Sequence, residues 1–122
     1  MSNISELIGK TLKSINVHNS ELIRFYTEEG DEYVMWHEQD CCESVDIEDI
    51  CGSLENLIGS PVLMAEEVIS EVKPPDVERK YEPESETWTF YKIATINEYV
   101  TIRWFGQSNG YYSEYVSFDK VS

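Results

Sequence analysis

The densest recognition chemistry lies near the end of the chain, in Thr101-Ile102-Arg103-Trp104-Phe105-Gly106-Gln107-Ser108-Asn109-Gly110-Tyr111-Tyr112-Ser113-Glu114. An arginine fork can grip a phosphate bidentately, aromatic rings can stack on a purine, and a glycine-rich turn can offer backbone N–H groups to an anion. Strand alternation puts Ile102 and Trp104 on one face and Arg103 and Phe105 on the other, so one face can be core and the other a site. Such a set could hold a nucleotide. The structural alternative is that Trp104, Tyr112 and Phe118 fill the core, Arg103 answers a buried glutamate, and Asn109-Gly110 only makes a turn.

The other reactive residues argue less strongly. Cys41-Cys42 with His37 and Asp40 lacks the Cys-x-x-Cys or His-x(3–5)-His spacing of a zinc site, and adjacent cysteines seldom chelate one ion. A cysteine nucleophile needs an electropositive setting, whereas His37 stands among Glu38, Asp40 and Glu43, which raise a thiol's pKa. Three cysteines, Cys41, Cys42 and Cys51, are an odd count, and neighbours rarely pair, so reduced thiols are expected. Glu66-Glu67 sit in an apolar run, where one should face inward and take Arg24 or Arg103 as its partner. No catalytic residue, metal ligand or cofactor is expected.

Positioning these residues requires a mostly β chain. With 122 residues, 41% hydrophobic and 8 Tyr, 3 Trp and 4 Phe, there is material for one core and one domain. Ile4, Leu7 and Ile8 form a short turn or helix that Gly9 ends, and a strand with a possible bulge starts at Thr11. Residues 22–26 and 32–36 flank Glu28-Glu29-Gly30-Asp31 as a hairpin. Residues 37–52 suit a strand or a short helix equally. Ser53 caps a helical turn closed by Gly59, with Glu55 near its positive end. Residues 62–72 read as a strand, and 73–86, with Pro74, Pro75 and Pro83 among charges, as an exposed loop. Residues 87–96, 99–105 and 111–118 read as an antiparallel meander. The expected class is α+β, predominantly antiparallel β, a meander sheet with one or two short helices.

The net charge of −15 is unevenly placed. Residues 1–27 carry three basic and two acidic groups, and residues 87–122 carry three of each, which leaves −16 in residues 28–86. Such a field repels free nucleic acid and anionic membrane and favours basic partners or plain solubility. No basic stretch precedes an apolar run near Met1, and no window reaches the ~20 apolar residues of a membrane helix, so a cytoplasmic protein is expected.

The strings at residues 37–45 (His-Glu-Gln-Asp-Cys-Cys-Glu-Ser-Val), 57–67, 87–92 (Thr-Trp-Thr-Phe-Tyr-Lys) and 101–114 resemble a widespread group of small bacteriophage proteins, the Thoeris anti-defence protein 1 family. The resemblance implies a sponge that binds cyclic ADP-ribose isomers without cleaving them, in a homo-oligomer whose sites lie near subunit contacts. On chemistry, Arg103, Phe90, Trp104, Asn109, Tyr112 and Arg24 are the residues expected to bind such a ligand. A different class of function fits the charge: an acidic inhibitor that mimics DNA, its carboxylates occupying the basic groove of a host nuclease or CRISPR effector.

Overall fold

A computed structural model describes residues 3–78 and 82–121, so residues 79–81 of the expected loop lie outside the described residues. Two four-stranded antiparallel sheets share one core. The first has the order β1 (Leu12–His18), β2 (Leu22–Thr27), β3 (Glu32–Trp36) and β8 (Ser117–Lys120). The second has the order β4 (Ser44–Cys51), β7 (Tyr99–Ser108), β6 (Ser85–Ala94) and β5 (Met64–Ser70).

Period-two patterning builds the first sheet. Ile23 and Phe25 of β2 and Tyr33 and Met35 of β3 are buried, while Arg24 and Tyr26 look outward. The hairpin expected at Glu28 to Asp31 forms, closed by the Thr27 N–H on the Asp31 carbonyl at 2.9 Å. Gly30 there has φ +98°, a conformation that costs any residue with a Cβ. The expected bulge in β1 also forms, as a register shift between Leu12 and Ser14.

Tyr91, Ile93, Val100, Ile102 and Trp104 supply the facing wall from β6 and β7. The Tyr33 and Phe118 rings stack at 5.3 Å. The Trp104 indole N–H meets the Met35 sulfur at 3.2 Å, a bond that runs from one sheet to the other. Each such fully buried side chain contributes ~1.5–3 kcal/mol relative to exposure, so this seam holds the layers together.

Several expectations are corrected. Among the described residues there is no α-helix, and the two expected helical segments are four-residue 3-10 turns, Ile4–Leu7 and Leu54–Leu57. Gly9 and Gly59, both at positive φ, stop each turn before a costly helical nucleus could be repaid. The α+β class therefore becomes all-β. Ser53 makes no side-chain cap, and instead its N–H donates to Glu98. The segment 37–52 resolves as a loop and then β4. The third strand of the expected meander is only Ser117–Lys120, and it pairs with β3 in the other sheet. Glu66 and Glu67 are both exposed, because β5 lies at a sheet edge. No helix among the described residues is long and apolar enough to cross a membrane.

Candidate functional site

The outward face of the second sheet gathers the candidate chemistry. On β6 the residues opposite in parity to buried Tyr91 and Ile93 are Trp88, Phe90 and Lys92; on β7 they are Thr101, Arg103 and Phe105. The register sets Phe90 beside Arg103 and Trp88 beside Phe105. The Trp88 and Phe105 rings lie 4.5 Å apart, and the Arg103 guanidinium stands 5.8 Å from the centre of the Trp88 ring. Trp88, although it points away from the core, is only 1% exposed.

Carboxylates surround Arg103. Its Nε donates to Glu48 Oε1 at 2.6 Å, its Nη1 to Asp76 Oδ2 at 3.2 Å, and Asp49 lies 3.8 Å from Nη2. Asp76 reaches it because the segment after β5 does not simply extend into solvent: it folds back over the outward face as a strap. Lys73 Nζ stiffens the strap by donating to the carbonyls of Pro74 and Val77. The bond from Arg103 holds the Asp76 carboxyl below its ordinary range. The one free thiol among the described residues, Cys51, is pushed up by its bond to Asp49, so it is held protonated.

The six expected binding residues do not converge. Arg103 and Phe90 are cross-strand neighbours on the outward face. Trp104 is 0% exposed in the core, and its expected stacking role is corrected to packing. Arg24 projects from the outer face of the other sheet, where it pairs with Glu32 at 2.7 Å. Asn109 and Tyr112 belong to the loop after β7, where Asn109 Oδ1 caps the Tyr111 N–H at 3.0 Å and the Tyr112 ring meets Tyr111 edge-on at 5.1 Å.

That loop is anchored by a residue for which no role was expected. Glu114 is 5% exposed; it accepts from the Thr87 hydroxyl at 2.8 Å and from the Ser108 hydroxyl. Its backbone lies so close to Gly106 that an added Cβ there would sit 2.5 Å from the Glu114 carbonyl oxygen. Parity was the available signal, because 114 shares it with Val116 and buried Phe118.

A second cluster closes around Glu43, whose parity with Val45 and Ile47 of β4 likewise turns it inward. His37 bridges it to the loop before β8: Nε2 lies 2.8 Å from Glu43 Oε2 and Nδ1 lies 2.7 Å from the Tyr115 carbonyl oxygen. The Asp40 and Cys41 N–H groups also donate to the Glu43 carboxylate. Those bonds, the Asp40 N–H first and the imidazole second, hold its carboxyl down to about 2. In the tight turn so formed, Cys41 and Cys42 are joined as a disulfide, which corrects the expectation of reduced thiols. This cluster forms one end of a cleft of about 900 Å³ between the two sheets. No group of three His, Cys, Asp or Glu side chains among the described residues is arranged to hold a metal ion.

Residues 5–118 match the domain of unknown function DUF7448, and the chain belongs to that family. No curated protein and no solved structure matches it.

Proposed function

We propose that the chain is a bacteriophage anti-defence protein of the host cytoplasm that sequesters a cyclic nucleotide signal of the cyclic ADP-ribose class, as a homo-oligomer and without cleaving it. The observation that carries this reading is the Phe90–Arg103 cross-strand pair with Trp88 and Phe105 around it. Phe90 offers a ring to a base, and Arg103 already holds the carboxylates of Glu48 and Asp76, the kind of oxyanion that a pyrophosphate would supply. Asp76, on a strap with its side chain 67% exposed, is the carboxylate that a phosphate would displace. The Asp49 bond raises the Cys51 thiol, which disfavours the thiolate that a nucleophile there would need.

One observation favours a second reading. Glu48, Asp49 and Asp76 crowd one exposed face, as phosphates crowd a DNA backbone, and so suit an acidic mimic that occupies a basic protein groove. A thermal-shift screen against cyclic ADP-ribose isomers, followed by heating to recover the ligand, separates the two. A ligand-dependent shift with chemically intact nucleotide released, both lost in Arg103→Ala, is expected of a sponge. Recovery of an altered nucleotide overturns sequestration. No shift with any nucleotide, together with capture of a basic host effector that Asp46→Lys, Glu48→Lys and Asp49→Lys abolish, establishes the mimic instead.

A further inference from the structure

The cleft between the sheets belongs to neither reading. It opens where β5, the last strand of one sheet, and β8, the last strand of the other, fail to meet. On β5 the side chains of Ala65, Glu67 and Ile69 share the core-side face, yet only Ala65 is buried, and Ile69 is 47% exposed. Ile4, Val116 and Phe118 continue the apolar surface across the cleft, and Glu38, Asp40 and Glu67 stand at its rim. Among the described residues no lysine or arginine lines it. Its single imidazole, His37, already has a bonding partner at each ring nitrogen.

Along the same cleft β5 pairs only with β6, so its other edge presents backbone N–H and C=O groups that no strand among the described residues uses. The 3-10 turn Ile4–Leu7 packs against β5 without pairing with it, and the edge left unpaired, with exposed Ile69 beside it, is a template for an added strand. Three kinds of occupant can be compared. A second copy of the chain laid antiparallel on β5 brings Glu66 and Glu67 of one chain against those of the other, between molecules of net charge −15. A phosphate-bearing ligand meets three rim carboxylates, with no cation among the described residues to receive it. An extended segment carrying a basic and an apolar side chain two residues apart, and so on one face, satisfies both features, with its cations on Glu67 and the rim and its apolar side chains on Ile69 and Phe118.

We infer that this cleft and the β5 edge form a docking groove for an extended, cationic and apolar segment of a partner protein, added as a further strand beside β5. The site is independent of the Arg103 face, so it stands or falls separately from nucleotide binding.

The test uses the full chain and a fluorescein-labelled ten-residue peptide repeating Lys-Ser-Val-Ser, which sets Lys and Val on one face, read by fluorescence polarisation. Saturable binding is expected, and Glu67→Lys or Ile69→Ser should each weaken it roughly ten-fold, the loss of one good contact at an interface. Glu28→Lys changes net charge as Glu67→Lys does but lies in the β2–β3 turn, and should leave the affinity within about two-fold. A peptide repeating Lys-Ser-Ser-Ser, with equal charge, should bind at least about ten-fold more weakly, because nothing fills the apolar wall. Equal losses in Glu28→Lys and Glu67→Lys, equal binding of the Lys-Ser-Ser-Ser peptide, or no binding of the Lys-Ser-Val-Ser peptide each overturns the inference. So does an oligomer that Glu67→Lys or Ile69→Ser dissociates while the peptide stays unbound, since the groove then belongs to a second copy. Backbone amide shifts of the unmutated protein provide a readout that needs no variant. Titration with the Lys-Ser-Val-Ser peptide should move Glu67, Val68 and Ile69, and shifts confined to other residues count against the groove.

Discussion

Replacing Gly106 by Ala tests whether the buried Glu114 is what holds the loop after β7. Gly106 lies within β7 and has no positive φ, so an alanine there suffers no backbone strain, and any effect comes from contact. The new Cβ would stand 2.5 Å from the Glu114 carbonyl oxygen and 2.9 Å from its Cβ, where ordinary contact begins at 3.4 Å. Backbone has to move by about 0.9 Å, and both hydroxyl bonds to the Glu114 carboxylate stretch with it. Overpacking of this kind costs ~1–3 kcal/mol, and a weakened bond to a buried charged group costs ~1.5–3 kcal/mol. Since the two share one movement, we expect a total near ~2–4 kcal/mol, a large part of the ~5–15 kcal/mol that a domain has. Urea unfolding at neutral pH reads it directly: with a slope near ~1.5 kcal/mol per M, the midpoint should fall by roughly 1.3–2.7 M. A loss below ~0.5 kcal/mol, the size of an ordinary surface substitution, would refute the anchoring role of Glu114.

Two further outcomes follow from the charge clusters. Glu43 has a folded pKa of about 2 against an ordinary 4.5, so its stabilisation is complete above the higher value and is lost as pH falls toward the lower. Urea midpoints taken across that window should therefore drop more steeply for the native chain than for Glu43→Gln, and parallel curves would remove Glu43 from the acid response. Asp76→Ala should tighten binding of cyclic ADP-ribose about two- to five-fold by calorimetry, since the carboxylate that it removes competes for Arg103 through an exposed pair. Weaker binding in that variant would mean that Asp76 contacts the ligand rather than competing with it.

The parts of the fold legible in the sequence are those set by local chemistry. The β2–β3 hairpin follows from alternating residues on either side of a glycine that must adopt positive φ, and the β6–β7 pair follows from two β-rich runs separated by a short turn. What local pattern does not contain is which sheet a strand joins. The run 111–118 has the composition of a strand, but the Asn109 turn and buried Glu114 fold its first half into a loop, and Phe118 then completes the opposite sheet. Similarly, Glu66-Glu67 looked semi-buried because the flanking residues are apolar, whereas exposure there depends on β5 being terminal. Of the candidate binding residues, only Phe90 and Arg103 were brought together. Alternation correctly separated Arg103 from Trp104 by face, but it could not say which of the two faces would be the core.

Charge distribution illustrates the same difference between chain position and space, and it bears on how any anion could be held. Along the sequence the acidic excess ends at residue 86, which suggests a C-terminal region left free to receive phosphate. In three dimensions β4 and the strap after β5 carry Glu48, Asp49 and Asp76 from that acidic block onto Arg103, within direct contact range, where salt screening over ~8 Å offers no separation. A phosphate therefore cannot simply be attracted to a vacant cation; it has to replace a carboxylate that is already bonded. Asp76, exposed and on a strap, is easier to replace than Glu48, which lies on a strand at 2.6 Å. Affinity at this face then depends on the difference between two anions for one arginine, and so on how well Phe90 and its aromatic neighbours hold the rest of the ligand. A simple inorganic phosphate, which has no base to stack, gains nothing from those rings. On the proposed sponge reading, the same arrangement that keeps Arg103 occupied favours a nucleotide over free phosphate.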